Sequence, residues 1–157
     1  MNKIIECSFR SDGSGKKLSN LYPHQFDLDG FRCASMEGFL QSLKCNTVGG
    51  SASLRAMSGV EAWKEGQAFT KRWQETQTLY WQGKPYNRQS AGYQNLIKRA
   101  YDALAWNQQF ANTLMLTGDN ELAHSIGNND STLTVLTQAE FLFNLYRIRS
   151  ILLSINT

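Results

Sequence analysis

Beyond residue 90 the apolar residues recur at the three- and four-residue steps of an α-helix, and this recurrence limits the fold more than any other feature of the chain. Tyr93, Leu96, Ile97, Ala100, Tyr101 and Leu104 predict one helix from Ala91, and Phe110, Leu114 and Thr117 predict a second that stops at Gly118. A last helix over 138–154 sets Phe141, Leu142, Leu145, Ile148, Ile151 and Leu152 around more than half its circumference, the pattern of a central core helix.

The N-terminal half carries shorter-period signals. Residues 3–10 read as a short strand and Ser11 to Lys17 as a flexible polar loop. Gln25 to Cys33 alternates on both sides of Asp29-Gly30, which predicts a hairpin. Ser35 is placed to cap a helix from Met36 through Leu43 or a few residues further, ending before Gly49-Gly50. Residues 51–75 read as helical, divided in two by the capping-box spacing of Ser58 and Glu61. Thr78 to Tyr86 is β-like around Gly83, a second small hairpin. With 157 residues, the expectation is one domain over 1–157, α+β and mainly α-helical, with short β-hairpins near the N-terminus and mid-chain.

Composition narrows the partners. A net charge of +3 without a long basic run implies a mild pull toward anionic ligands and argues against a strong nucleic-acid footprint. Three cysteines without Cys-x-x-Cys spacing exclude a disulfide framework or zinc ribbon, and two histidines without clustered carboxylates argue against a bound metal. Charged residues interrupt the N-terminus before signal-peptide length, and no later segment approaches ~18 apolar residues. A cytoplasmic protein with no membrane partner and no cofactor is expected.

Glu37, Gln41 and Lys44 follow one another at steps of four and three, so a carboxylate, an amide and an amine share one helical face. Such a face is either solvated or the lining of a cleft, and Phe39, Leu40 and Leu43 on the other faces allow the second. Spacing alone leaves both open.

The preceding segment adds to this. Leu18-Ser19-Asn20-Leu21-Tyr22-Pro23, Phe26, Leu28-Asp29-Gly30, Ser35-Met36-Glu37, Gln41 and Lys44 resemble, in order and nearly ungapped, the opening signature of the NADAR (YbiA-like) N-glycosidases. The likeness continues through Trp81, Arg88 and Tyr93, then Asn107, Phe110, Leu114, Leu116-Thr117-Gly118-Asp119, Leu122, Asp130 and Leu145-x-x-x-Arg149. Two departures mark a divergent branch. His124 stands where better-known members have Glu, and Asp130 is followed by Ser-Thr-Leu-Thr-Val-Leu rather than a Trp-Gly-x-Gly run.

The resemblance implies hydrolysis of a ribosyl C1′–N bond, with ADP-ribose on guanine or a phosphorylated ribosylamine intermediate as substrate. The partner is then ADP-ribose-like or nucleotide-like, with ADP-ribosylated DNA as one carrier. Lys44 would be the nucleophile and Glu37 the proton shuttle; alternatively Lys44 is a fixed cation and Glu37 activates water. A nearby Glu37 should raise the lysine pKa, against the first role. His124 would replace the missing acid or serve structure. Asn20 would bind ribose or serve as a turn residue, Arg10 and Arg88 would clamp the pyrophosphate or be surface charges, and Tyr22, Trp81 and Tyr93 would stack on the base or belong to the core, with Gln41 and Asp130 as further substrate-binding positions. His24, beside Pro23, reads as exposed. A catalytically inactive ADP-ribose or nucleotide binder is the alternative function.

Overall fold

The structure, a computed structural model, describes residues 2–156. Strand β1, Ile4–Glu6, is shorter than the predicted 3–10 and is followed by helix α1, Gly13–Lys17, where a polar loop was expected. Gly15 explains the compact path: a Cβ there would lie 2.2 Å from the carbonyl oxygen of Glu6, so only glycine lets this turn press against β1. Leu18, 1% exposed, then pins the helix to the core.

Strands β2, Phe26–Leu28, and β3, Phe31–Cys33, form the first hairpin, with Phe26 opposite Cys33. Asp29 and Gly30 turn it with φ of 53° and 83°, the doubly positive backbone of a type I′ turn. Helix α2, Met36–Ser42, starts at the fully buried Ser35, whose hydroxyl accepts the Gly38 amide at 3.0 Å. Gly49-Gly50 does not end this helix. Thr47 opens a new one, α3 at Val48–Ala56, by accepting the Gly50 amide, and the glycines form its first turn. Ser58 caps α4, Gly59–Gly66, as the spacing predicts. A short 3-10 turn at Gln67–Phe69 then separates it from α5, Thr70–Thr76, so three helices replace the predicted two.

Strands β4, Thr78–Trp81, and β5, Lys84–Asn87, form the second hairpin around Gln82 (φ 49°) and Gly83 (φ 79°). Helix α6, Ala91–Leu104, and α7, Gln108–Leu116, follow as the periodicity requires. Next comes a strand the sequence did not disclose, β6 at Glu121–Ala123, which pairs in parallel with β1. The last helix, α8, spans Gln138–Ile155 and begins with a full capping box between Thr137 and Glu140.

The helix that occupies the middle is α6, not α8. Tyr93, Leu96, Ile97, Ala100, Tyr101 and Leu104 are all buried, and the helix meets β2, β5 and α8. Helix α8 buries Phe141, Leu145 and Ile148 but leaves Phe143 62% and Ile151 45% exposed, so it lies along the side. The observed class is α+β and mainly helical, as the sequence implied. Among the described residues no helix is long and apolar enough to cross a membrane.

Candidate functional site

Helix α2 is held between α3 and α4, and its polar face closes on a small group of side chains. The main-chain amide of Glu37, in the first turn, donates to the Asn20 carbonyl at 2.9 Å. One turn on, Gln41 Nε2 donates to Glu37 Oε1 at 2.7 Å. Just past the helix end, Lys44 Nζ donates to Thr70 Oγ1 at 3.0 Å. The Asn20 side chain accepts from the Tyr101 hydroxyl at 2.8 Å, which brings α6 to the same place. Asn20, Glu37, Gln41 and Lys44 are therefore gathered, with Thr70 and Tyr101 added by the fold.

Burial sets the electrostatics. Lys44 is 7% exposed, and loss of water pulls its pKa down to about 8 against the opposing pull of Glu37. Glu37 does raise it, as expected, but desolvation is the larger effect. The Glu37 carboxyl is raised, first by desolvation, with the Gln41 hydrogen bond and the Lys44 charge acting the other way. The two side chains do not close into an ion pair among the described residues, so each keeps a perturbed protonation equilibrium. At pH 7 a pKa near 8 leaves about a tenth of the lysine as free amine, hundreds of times more than an ordinary lysine provides. Such an amine can attack an electrophilic carbon; such a carboxyl can carry its proton.

Gly66 is what admits Gln41. A Cβ on Gly66 would lie 1.9 Å from Gln41 Oε1, an atom that is buried and has no hydrogen-bond partner. Nothing in the sequence marked Gly66 or Thr70, and Tyr101 registered only as an apolar position on a helical face.

The remaining predicted residues lie elsewhere. Tyr22 is half-buried on the Asn20 loop, its ring 4.7 Å from that of His24. His24 is buried at 3% exposure, not exposed as its neighbour proline suggested, because Nε2 bonds the Lys17 carbonyl at 2.7 Å and its ring meets Phe110. Arg10 is exposed beyond β1. Trp81 is 3% exposed, donates from Nε1 to Asp29 Oδ2 at 2.8 Å and packs on Phe39, which makes it core rather than a stacking platform.

Arg88 is fully buried and gives both Nη atoms to Glu140, at 3.1 and 2.6 Å, and Nε to the Thr134 carbonyl. Tyr93 beneath it is also buried and bonds the Val135 carbonyl. These two lock the 134–140 segment to α6 and, being fully buried, present nothing to a pyrophosphate or base. Asp130 is exposed and accepts the Thr132 amide and hydroxyl, a turn within its own loop. His124 is half-buried with Nδ1 bonded to the Cys7 carbonyl at 2.7 Å and its ring 4.7 Å from Phe141. Phe141 in turn meets Tyr101, so His124 reaches the cluster only through two rings.

Two hollows open away from the cluster. One, about 980 Å³ with its mouth, lies over Phe143 and Glu140 between α6 and α8. The other, at the start of α3, is a narrow cleft of about 10 Å³, enough for roughly one water-sized atom below its open mouth.

Comparison with known proteins agrees with this architecture. The family described as bacteriophage protein GP30.3 matches residues 14–150. An uncharacterized 17.1 kDa protein of the Gp30-rIII intergenic region of Enterobacteria phage T4 is 34% identical over 127 residues, covering 80% of this chain and 83% of that protein. Among solved structures, the NMR structure of the E. coli protein YbiA superposes with a TM-score of 0.63 at 14% identity, covering 99% of this chain and 88% of that one.

Proposed function

We propose for this chain, which belongs to the bacteriophage protein GP30.3 family and is YbiA-like in fold, the hydrolysis of a ribosyl C1′–N bond, with base-linked ADP-ribose or a phosphorylated ribosylamine as the substrate class. One observation carries the reading: Lys44 is buried beside Glu37 with its pKa pulled down to about 8. A surface lysine has no reason to be so placed.

The free amine of Lys44 attacks C1′, and the C1′–N bond breaks with its electron pair leaving on the base nitrogen. Glu37 relays the amine's proton to that nitrogen. The ring then opens to a Schiff base between C1′ and Nζ, which one water hydrolyses to free ribosyl aldehyde and regenerate the lysine. Gln41 fixes the Glu37 carboxylate, and Asn20 stands ready for a ribose hydroxyl. The deciding experiment incubates the protein with ADP-ribosylated guanosine and with ADP-ribosylated DNA and follows released ADP-ribose by mass spectrometry. Borohydride added during turnover should trap a ribosyl adduct on Lys44, and Lys44→Ala should give neither product nor adduct.

A second reading, a nucleotide-binding protein without turnover, is favoured by the tether of His124 to the Cys7 carbonyl, which leaves that residue poorly placed to replace the absent acid. Stabilisation by ADP-ribose without product from any ribosyl substrate would support it.

A further inference from the structure

The hollow at the start of α3 is separate from the Lys44 cluster and is lined by Thr47, Val48, Ser51, Arg55, Gln82 and Gly83 among others. Its chemistry is one-sided. Arg55 is 9% exposed and has no carboxylate partner among the described residues. Its Nε is buried with no hydrogen-bond partner, and Nη1 reaches only the Ser51 hydroxyl, at 3.3 Å. Gln82 Nε2, from the β4–β5 turn, is likewise buried and unbonded.

Burying an unpaired guanidinium is strongly unfavourable. The rings of Phe31 and Trp81, 5.3 and 5.6 Å from its carbon, recover part of that. The two rings stand at 82° to one another around the guanidinium carbon, and Nε stays without a partner, a donor that an oxyanion can take. The first-turn amides of Val48 and Gly49 have no helical carbonyl to bond and add the positive end of a nine-residue helix. Gly50 lets Cys45 close the wall, since a Cβ there would come 2.4 Å from the Cys45 sulfur.

Unpaired donors thus line the hollow from the start of α3, from Arg55 two turns along it and from the β4–β5 turn, beside the side chains of Asn46, Ser51 and Tyr80 and with no carboxylate in the lining. From this arrangement we infer a second ligand site, for a phosphate group that inserts an oxygen between Arg55, Gln82 and the α3 N-terminus. A tetrahedral group suits three donor positions spread over α3 and the β4–β5 turn better than a planar carboxylate, which matches only a fork. The site is independent of the proposed glycosidase chemistry.

Trp81, whose ring centre lies 5.6 Å from the Arg55 guanidinium carbon, is a built-in reporter. At constant ionic strength, inorganic phosphate, ribose 5-phosphate and acetate are titrated while tryptophan fluorescence and Tm are followed. The expected result is a saturable fluorescence change with a rise in Tm for a phosphate. Affinity should fall about tenfold in Gln82→Met and in Arg55→Lys, the loss of one charge-assisted hydrogen bond. Tighter binding of the sugar phosphate assigns the site to a phosphate carried on a larger molecule; tighter binding of inorganic phosphate assigns it to the free ion. Acetate binding as well as either phosphate, no saturable response in the wild type, or an unchanged affinity in Gln82→Met overturns the proposal. Gln82→Met leaves the core intact, so the test survives if Arg55→Lys does not fold.

Discussion

Gln41 donates from Nε2 to Glu37 Oε1 at 2.7 Å across one turn of α2, and this bond fixes the carboxylate that faces Lys44. Cutting it should separate orientation from charge. In Gln41→Leu the Glu37 carboxyl loses an acceptor contact that lowers its pKa, so its pKa rises further while its aim loosens. We expect kcat to fall by about tenfold to a hundredfold, with KM changed less, in the ADP-ribose release assay. An unaltered kcat would remove Gln41 from the site.

The lysine predicts a pH dependence of both activity and stability. Its folded pKa, about 8, lies below the ordinary value of 10.5. If the free amine reacts, kcat/KM climbs through about pH 8 and levels off above it as long as Glu37 can still relay a proton. In Glu37→Gln the one opposing pull on the lysine is gone, so its pKa moves below about 8; NMR of the reductively methylated amine would read this directly. For stability, the unfolded state binds more protons than the folded one between about pH 8 and 10.5, so stability rises with pH across that window. Lys44→Met should therefore be inactive yet more stable at pH 7, by on the order of 1–2 kcal/mol after loss of the Thr70 bond, with the gain disappearing toward pH 10.5. A melt at pH 7 and pH 10.5 checks the sign.

Gly66→Ala tests the packing behind Gln41. Gly66 has φ −65°, which alanine adopts freely, and alanine is the better helix former by up to ~1 kcal/mol. Its new methyl, however, would occupy the position of Gln41 Oε1, 1.9 Å away, and the buried amide has to turn out of its bond to Glu37. Expected is a Tm within a few degrees of wild type beside a drop in kcat/KM of about tenfold or more. Equal loss of both would mean that the helix, not the amide, had moved.

The legible part of this fold is where local chemistry and tertiary packing agree. Asp29-Gly30, Ser35, Ser58 and the α6 stripe each announce their element and form it. The α1 turn was hidden because its one determinant, the approach of Gly15 to Glu6, is a contact between two elements. Strand β6 was hidden because three residues acquire strand geometry only from pairing with β1. Of the site, the α2 face was readable from spacing. Thr70, Gly66 and the Tyr101 hydroxyl arrive from distant sequence and leave no local mark. Arg88, Trp81 and Tyr93 were the right types for a ligand, but in the folded chain an acid or carbonyl of the protein itself takes their donors.

Arg88 should accordingly behave as structure. Arg88→Met strands Glu140 in the first turn of α8 without its cation, a loss of roughly 3–5 kcal/mol for one partner of a largely buried pair. Burial pushes Glu140 up, and Arg88, the Thr137 amide and Gln94 more than reverse it, leaving the carboxyl below its ordinary value. That depressed folded pKa contributes stability above the unfolded value near 4.5, lost as pH falls through the folded one. The variant should melt far lower at neutral pH, and its deficit should shrink in acid. Where it remains folded, KM for the ribosyl substrate should be unchanged; a large KM increase in the cold, folded protein would return Arg88 to the binding site.

Tyr101→Phe asks whether Asn20 is part of the machinery or part of the wall. The phenol is fully buried and donates to Asn20 Oδ1 at 2.8 Å, and its own pKa stands well above ordinary, first through desolvation. It is therefore a neutral donor throughout the working pH range. Its removal leaves the Asn20 acceptor unmet, a penalty of ~1–3 kcal/mol visible in the melt, and frees the amide to rotate. If Asn20 holds a ribose hydroxyl, KM rises with kcat nearly constant, and Asn20→Ala repeats the rise without the same stability loss. If KM stays constant in both variants, the amide only closes the loop over α2, and recognition of the sugar lies with Glu37 and Lys44 alone.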